Sequence, residues 1–485
     1  MPLLRGSQPG DDMDGAATRI RLNCVDRGLL ALSSIREYPH FHWILNVVGE
    51  VDPADLGQSV LSVLHAHPNL TTTVRRCRTR AFRFHHSATH ENIITVLDLR
   101  PHSPTGTHFD LEDDPRYHRS LYEWVNAPID HESHSPVRLL VVRGRGESRL
   151  VFAIDHSSLD GIRSLRFIRK VVAEYNGEPD AESSPLLGIR ASGMDEIARS
   201  AKRKGSTIRM FYAKVCLSAF HRLFISPLRP AARLFHDRAD GADGIGYCFA
   251  VLESEEMKHI RSGLKFFGST VNDILLASGF RLMERWNRMH GKKANRLSIM
   301  VPTDLGPDWL RNAISNQVSY VSLRTGPEDR ANPAKLLSKV RGDMSRMIKN
   351  GAAFSAIYIL RGATLLPQSV VNVWAKAIMV TRVYVDTTIL SNLGVVWRDA
   401  RGELRMGDCR IVDVRLIMPA VTPMGLCLGA STYNGRMCIS LSYRTGMFSG
   451  EKAREFLDMY IDEIRSYPLP TRPEPARVMA EAVAA

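Results

Sequence analysis

Apolar residues along this chain follow one of two rhythms. Short runs that alternate, or that are rich in β-branched and aromatic residues, read as strands: "FHWILNVVGEV" (41–51), "LTTTVRR", "AFRFHH" and "NIITVLDL". "SPVRLLVVRG" and "SRLVFAID" read as a hairpin turning around Gly144 and Gly146. Spacings of three and four read as helices. In "DPADLGQSVLSVLHAHP" they place Leu56, Val60, Val63 and Leu64 on one face, with Asp52 or Asp55 as cap and Pro68 as stop. After Gly161, Ile162, Leu165, Ile168 and Val172 mark another helical face that ends near Asn176-Gly177.

The later part of the chain has the same mixture. "GYCFAVL" reads as a strand, and "STVNDILLASGFRLMERWNRMH" as a long helix capped by Ser269 or Thr270. "RLSIMVPTDLG" and "NQVSYVSLRT" are further strands. "NPAKLLSKVRGDMSRMIKNG" is a helix with Pro333 in its first turn and Gly351 past its end. "TTILSNLGVVW", "LCLGASTYNG" and "RMCISLSYRTG" are late strands, and "SGEKAREFLDMYIDEIRSY" is a final helix.

Strands and helices mix without regular alternation, so the pattern predicts an α+β architecture with mixed sheets rather than a doubly wound fold. With 485 residues, 44% of them hydrophobic, the chain exceeds one ordinary core and implies two subdomains. The polar stretch from "NGEPDAESSP" to "ARSAKRKGS" changes sign from acidic to basic and reads as a linker over 179–206. The expected division is a loose leader (1–17), a first subdomain (18–178), the linker, a second subdomain (207–467) and a disordered tail (468–485). No repeat of fixed period is visible.

The net charge of +13 favours anionic partners: coenzyme A phosphates, an acidic carrier protein or an anionic membrane surface. The basic residues are dispersed and no recognition motif with interleaved aromatics accompanies them, which argues against nucleic acid. The seven cysteines are scattered, with no C-x-x-C pair, so neither a disulfide framework nor a zinc site is expected. The first residues lack a secretory core, and no apolar run is long enough to span a bilayer. A cytoplasmic monomer is expected. His85, His86 and His90 in "HHSATHE" lack a matching carboxylate–histidine partner and read as an exposed edge, not a metal site.

Two segments stand apart. "STIRMFYAKVCLSAFHRLFISPLRPAARLFHDR" (206–238) is apolar and basic by turns; it reads as inter-subdomain helices, with a membrane surface or a lipid-like substrate as the other reading. "AIYILRGATLLPQSVVNVWAKAIMVTRVYV" (356–385) reads as buried helices lining the second half. If both face a channel, a long acyl or alcohol chain fits.

Candidate chemistry gathers at "RLVFAIDHSSLDG". Alternation puts Leu150, Phe152, Ile154 and His156 on one strand face, and Val151, Ala153 and Asp155 on the other. His156 is then the first polar residue on an apolar face, where the strand opens into a loop. An imidazole titrates near neutrality and can take a proton from a hydroxyl or amine. Asp160 is placed to catch an arginine and fix the loop. Gly161 is expected to let the backbone turn tightly before the helix.

The H-x-x-x-D-G spacing after a strand and before a helix resembles the coenzyme A-dependent acyltransferase superfamily. That group includes chloramphenicol acetyltransferase, the condensation domains of nonribosomal peptide synthetases, the polyketide-associated acyltransferases and the wax ester synthase/diacylglycerol acyltransferases. "GSTVNDILLASGFRLMERW" (268–286) is similar to their T-x-N-D helix, "IMVPTDLG" (299–306) to their V-P-x-D/S-L-R strand end, and "LSNLG" (390–394) to their late S-N-x-G segment. Two departures stand out. Asp155 replaces the first histidine of H-H-x-x-x-D-G, and Gly306 stands where an arginine is common.

The resemblance implies two chloramphenicol acetyltransferase-like subdomains with an active-site channel between them. It implies acyl transfer from acyl-CoA or a phosphopantetheine-linked acyl carrier to a small hydroxyl or amine acceptor, with no tightly bound cofactor. His156 would be the general base, Asp160 and Gly161 would shape its loop, and Ser391 and Asn392 would line the channel or face the oxyanion. Asn272 and Asp273 read as helix-capping and packing groups. The competing reading is a non-catalytic relative that binds an acyl or peptidyl carrier protein.

Overall fold

The protein is described here by a computed structural model covering residues 20–22, 24–33, 40–67, 70–77, 80–85, 93–100, 110–130, 135–178, 207–237, 243–306, 314–363, 365–381, 384–397, 402–422 and 424–468. The leader, the linker 179–206 and all of the tail but Pro468 lie outside the described residues, as do His86 and His90.

The first half runs β1 (Ile20–Arg21), α1 (Cys24–Ser33), β2 (His40–Val48), α2 (Pro53–Ala66), β3 (Thr72–Cys77), β4 (Arg80–His85), β5 (Ile94–Asp98), α3 (Pro115–Asn126), β6 (Val137–Arg143), β7 (Glu147–Asp155) and α4 (Gly161–Tyr175). The second runs α5 (Thr207–Phe220), β8 (Ile245–Leu252), α6 (Ser254–Phe267), α7 (Val271–Met289), β9 (Leu297–Asp304), β10 (Val318–Thr325), α8 (Pro327–Arg330), α9 (Pro333–Lys349), α10 (Ala352–Ala363), α11 (Gln368–Thr381), β11 (Thr388–Val395), β12 (Arg405–Met406), β13 (Cys409–Ile417), β14 (Leu426–Tyr433), β15 (Arg436–Arg444) and α12 (Gly450–Arg465). Asp52 caps α2, accepting from the Ala54 and Asp55 amides. Thr270 and Asp273 form a reciprocal capping box on α7, so Asp273 is a structural group.

Two six-stranded sheets carry the molecule, in the orders β12-β13-β2-β7-β6-β5 and β10-β9-β11-β14-β15-β8, and β1, β4 and β3 form a small third sheet. Both large sheets are mixed. β5 runs parallel to β6, and β11 runs parallel to β9 and β14, among otherwise antiparallel pairs. Strands β12 and β13 pair into the first half's sheet, β13 against β2, although they lie far beyond residue 206.

The central strands β2, β6 and β7 are buried on both faces, which explains their largely apolar sequences. Phe41, Trp43, Leu45, Phe152 and Ile154 pack with residues of α2 and α4. Ile44, Leu140 and Val151 pack with Tyr117, Leu121 and Val125 of α3 and with Ile245 of β8. The second core is built from β9, β14 and β15 with Ile274, Phe280 and Trp286 of α7 and Phe456 and Tyr460 of α12.

Segment 356–385 does not form the fully buried helices expected of it. α1 covers one side of α11, with Arg27 donating to Gln368 Oε1 at 2.9 Å and to the Leu366 carbonyl at 2.9 Å. The outer side, with Val370, Val373 and Val380, is exposed. Apolar content showed that these helices pack, but not how many of their faces do.

Candidate active site

β7 ends at Asp155 and α4 begins at Gly161. The five residues between them form a loop held from several sides. The Asp155 carbonyl accepts from the Ser158 amide at 3.0 Å, and Asp155 Oδ1 accepts from the Ser157 amide at 2.6 Å. Leu159 is wholly buried in the core of the first half. Asp160, itself 2% exposed, caps α4: its Oδ1 accepts from the amides of Ile162 (3.0 Å) and Arg163 (2.9 Å).

His156 sits on the predicted face, with Ile154. Its ring lies edge-on to Phe41 of β2 at 5.3 Å between centroids. The residue is half-buried, and Nδ1 is shielded from water with no hydrogen-bond partner. Beneath the loop, Trp43 Nε1 donates to Ser164 Oγ at 2.8 Å, and Ser164 Oγ donates to the Gly161 carbonyl at 2.8 Å. The start of α4 is thus tied to the sheet by a buried indole.

The second half reaches this loop through residues 314–317, just before β10. Asn316 Nδ2 donates to the His156 carbonyl at 2.7 Å, and the Gln317 amide donates to Asp160 Oδ2 at 2.8 Å. Ile314 is buried in the first half's core. Asp160 therefore fixes α4 with one oxygen and the second half with the other.

The arginine expected beside Asp160 is Arg163, one turn further along α4, with Nη1 at 3.6 Å from Asp160 Oδ2. Its shorter bonds cross to the other half: Nη1 to Asp304 Oδ1 at 2.6 Å and Nη2 to Gln317 Oε1 at 2.7 Å. Gly306 explains why this fits. A Cβ at 306 would collide with Arg163 Nη2 and Gln317 Oε1. The glycine that departs from the family pattern vacates the volume that the Arg163 guanidinium fills.

Gly161 has a different role from the expected tight turn. Its backbone is not left-handed, so conformation alone does not demand glycine. The demand is for space, since a Cβ there would lie 3.1 Å from Leu393 Cδ2. Leu393 thus brings the 391–394 segment of β11 against the start of α4. Ser391 is buried, and Asn392 Oδ1 accepts from the Gly394 amide at 3.0 Å within its own turn. The structure therefore groups His156, Asp160 and Gly161 in one loop, and Leu393 is the residue of the late segment that meets that loop. Just beyond, Trp397 holds a left-handed backbone (φ 49°) and donates from Nε1 to the Leu165 carbonyl at 2.9 Å, another tie between β11's end and α4.

Arg163, Asp304, Asn316 and Gln317 were not singled out in the sequence. Asp304 and Gly306 lay inside the "VPTDLG" resemblance, which was their one visible signal.

The fold matches solved structures. The first condensation domain of the CDA synthetase aligns with a TM-score of 0.67 at 12% identity, covering 93% of this chain and 97% of that one. The chain has the fold of a condensation domain. The starter condensation domain of rhizomide synthetase, solved as a mutant in complex with C8-CoA and Leu-SNAC, aligns with the same fold at a TM-score of 0.66 and 12% identity, over 93% of this chain and 94% of that one. The expected α+β architecture of two halves holds. In sequence, the chain is 28% identical over 363 residues to an uncharacterized protein of Mycobacterium tuberculosis (strain H37Rv), covering 73% of this chain and 81% of that protein. No protein-family profile matches. At such identities the condensation fold is shared, and the chemistry has to be argued from the site.

Proposed function

We propose that this protein is an acyltransferase that moves an acyl group from a thioester donor, acyl-CoA or an acyl carrier protein, to a hydroxyl or amine acceptor. The observation that carries this reading is the loop of His156. It is pinned at Asp155, Leu159 and Asp160, and it is held by Asn316 and Gln317 from the other half. An imidazole so placed stands where both halves meet, with its ring edge-on to Phe41.

In the proposed reaction His156 accepts the proton of the acceptor O–H or N–H as that atom attacks the thioester carbonyl. The new C–O or C–N bond forms, the tetrahedral intermediate collapses with loss of the C–S bond, and the imidazolium returns the proton to the thiolate. Asp160, Arg163, Asp304 and Gln317 position the loop and do not touch the reacting atoms. Ser391 and Asn392 are proposed to line the channel. Octanoyl-CoA is a reasonable first donor, because a protein of the same fold was solved with C8-CoA. The setting proposed is natural-product or lipid biosynthesis.

His156→Ala should fold normally and lose transfer by about a hundredfold or more, the usual size of a general-base contribution. The check is thiol release from an acyl-CoA panel with hydroxyl and amine acceptors, alongside the melting curve. Unchanged turnover would remove His156 from the mechanism. A second reading, a non-catalytic module that binds a carrier protein, draws on the unpartnered Nδ1, which leaves the tautomer unset. In that case no donor gives transfer, and His156→Ala leaves carrier binding intact.

A further inference from the structure

The outer surface of α5 and α11 inverts the usual amphipathic order. α5 continues through a wider turn (His221–Ile225) and a short 3-10 turn (Ser226–Leu228). Along this stretch Leu217, Phe220, Phe224 and Leu228 recur every three or four residues and are 52% to 75% exposed. On α11 and the turn before it, Leu365, Val373 and Val380 are 69% to 87% exposed, with Val370 on the same stripe. Surface helices ordinarily turn such a stripe inward.

The two elements belong to one layer. α10 leads into α11 through a tight turn and packs on α5, with the Tyr212 and Tyr358 rings 5.9 Å apart. Beyond the far end of α11, Tyr384 Oη donates to the Leu223 carbonyl at 3.1 Å. Apolar exposure on this scale marks an interaction surface.

Charge identifies the partner. The chain has 51 acidic residues, and none falls in 206–236 or 350–385, the segments that build this layer. The basic residues there include the exposed Lys214, Arg229 and Lys376. A two-fold dimer would press the same acid-free face against itself, leaving these cations without countercharge. Lys376 lies within the α11 stripe, between Val373 and Val380, where an interface between proteins would bury its ammonium. At a bilayer the apolar stripes enter the acyl boundary while lysine and arginine reach up to anionic headgroups.

We infer that α5, its extension and α11 form a docking face for an anionic lipid bilayer, on which the protein lies without crossing it. Among the described residues no helix is long and apolar enough to span a membrane.

The test is sedimentation of the full chain with vesicles of phosphatidylcholine alone or with phosphatidylserine, at low and high salt. Binding should require the anionic lipid and weaken with salt. Phe224→Asp with Val373→Asp changes exposed positions only, so it should keep the wild-type melting curve while lowering vesicle partitioning by about tenfold or more. Lys214→Gln with Lys376→Gln should reduce partitioning and flatten the salt dependence. Failure of the wild-type chain to bind vesicles overturns the inference, whether or not it then dimerises or captures an acidic carrier protein. Equal binding by the aspartate variant also overturns it.

Discussion

Arg163 takes its charge into the interior, 1% exposed, where Asp160, Asp304 and Gln317 surround it. Removing one partner of a buried ion pair costs about 3–5 kcal/mol; loss of Arg163 leaves the buried Asp160 without its cation, while Asp304 stays open to water. Arg163→Ala should therefore destabilise the chain strongly, and Arg163→Lys should rescue little, since a single ammonium cannot reproduce the planar fork that meets Asp304 and Gln317. Gly306 supplies a sharper check. Gly306→Arg alone collides with Arg163 and should be severely destabilising. In the Arg163→Ala background the same change has a vacated volume and two carboxylates to meet. The double variant should then be more stable than the sum of the single effects by about 1–3 kcal/mol in urea unfolding. Strict additivity would show that the two positions do not share one volume.

At the scale of elements, β2 carries the most unusual residue of the first sheet. His42 lies on the face opposite Phe41 and His156, 1% exposed, and neither ring nitrogen has a hydrogen-bond partner. Its cross-strand neighbour is the small Ala153, beyond which Arg138 follows in register. Burial holds its pKa well below the ordinary value, and positive charge on His40 and Arg138 adds to the effect. The folded chain thus binds this proton more weakly than the unfolded chain does. His42 imposes no such penalty above about pH 6.5, and stability falls as the pH drops below it, by up to about 1.4 kcal/mol per pH unit. His42→Leu should flatten the urea midpoint between pH 6.5 and 5; an unchanged slope would exclude His42 as its source. Elements with regular periods were legible in the sequence: β2, the β6–β7 hairpin, α2, α4, α7 and α12. Others were not. In β13 the register shifts between Ile411 and Asp413, which breaks the alternation that announces a strand. α3 shows only Tyr117, Leu121 and Val125 as an apolar stripe, too sparse to stand out. The His156 loop was legible because its residues are contiguous. Its partners at 304–317 were not, because nothing local in "SNQV" says which distant loop its amides meet.

For the whole molecule, the crossing elements set how the halves depend on each other. β12 and β13 complete the first sheet from the second half of the chain, and Met406, Ile411, Val414 and Leu416 enter the first half's core together with Ile314. Without them β2 becomes an exposed edge and one face of its core opens to water, a combination that favours aggregation over folding. In the other direction, the 314–317 segment loses its anchors at the His156 carbonyl and Asp160 when the first half is absent. The halves should therefore unfold as one cooperative unit despite the expected linker at 179–206. Tryptophan fluorescence reports on both: Trp43 is buried in the first sheet and Trp286 in the second core. In urea the fluorescence and far-ultraviolet circular dichroism transitions should coincide. A fragment ending at residue 206 should be insoluble or unfolded when made alone, and soluble when co-expressed with 207–485. Two separated transitions, or a stably folded 1–206 fragment, would mean that the crossover of β13 adds contacts without joining the halves into one folding unit.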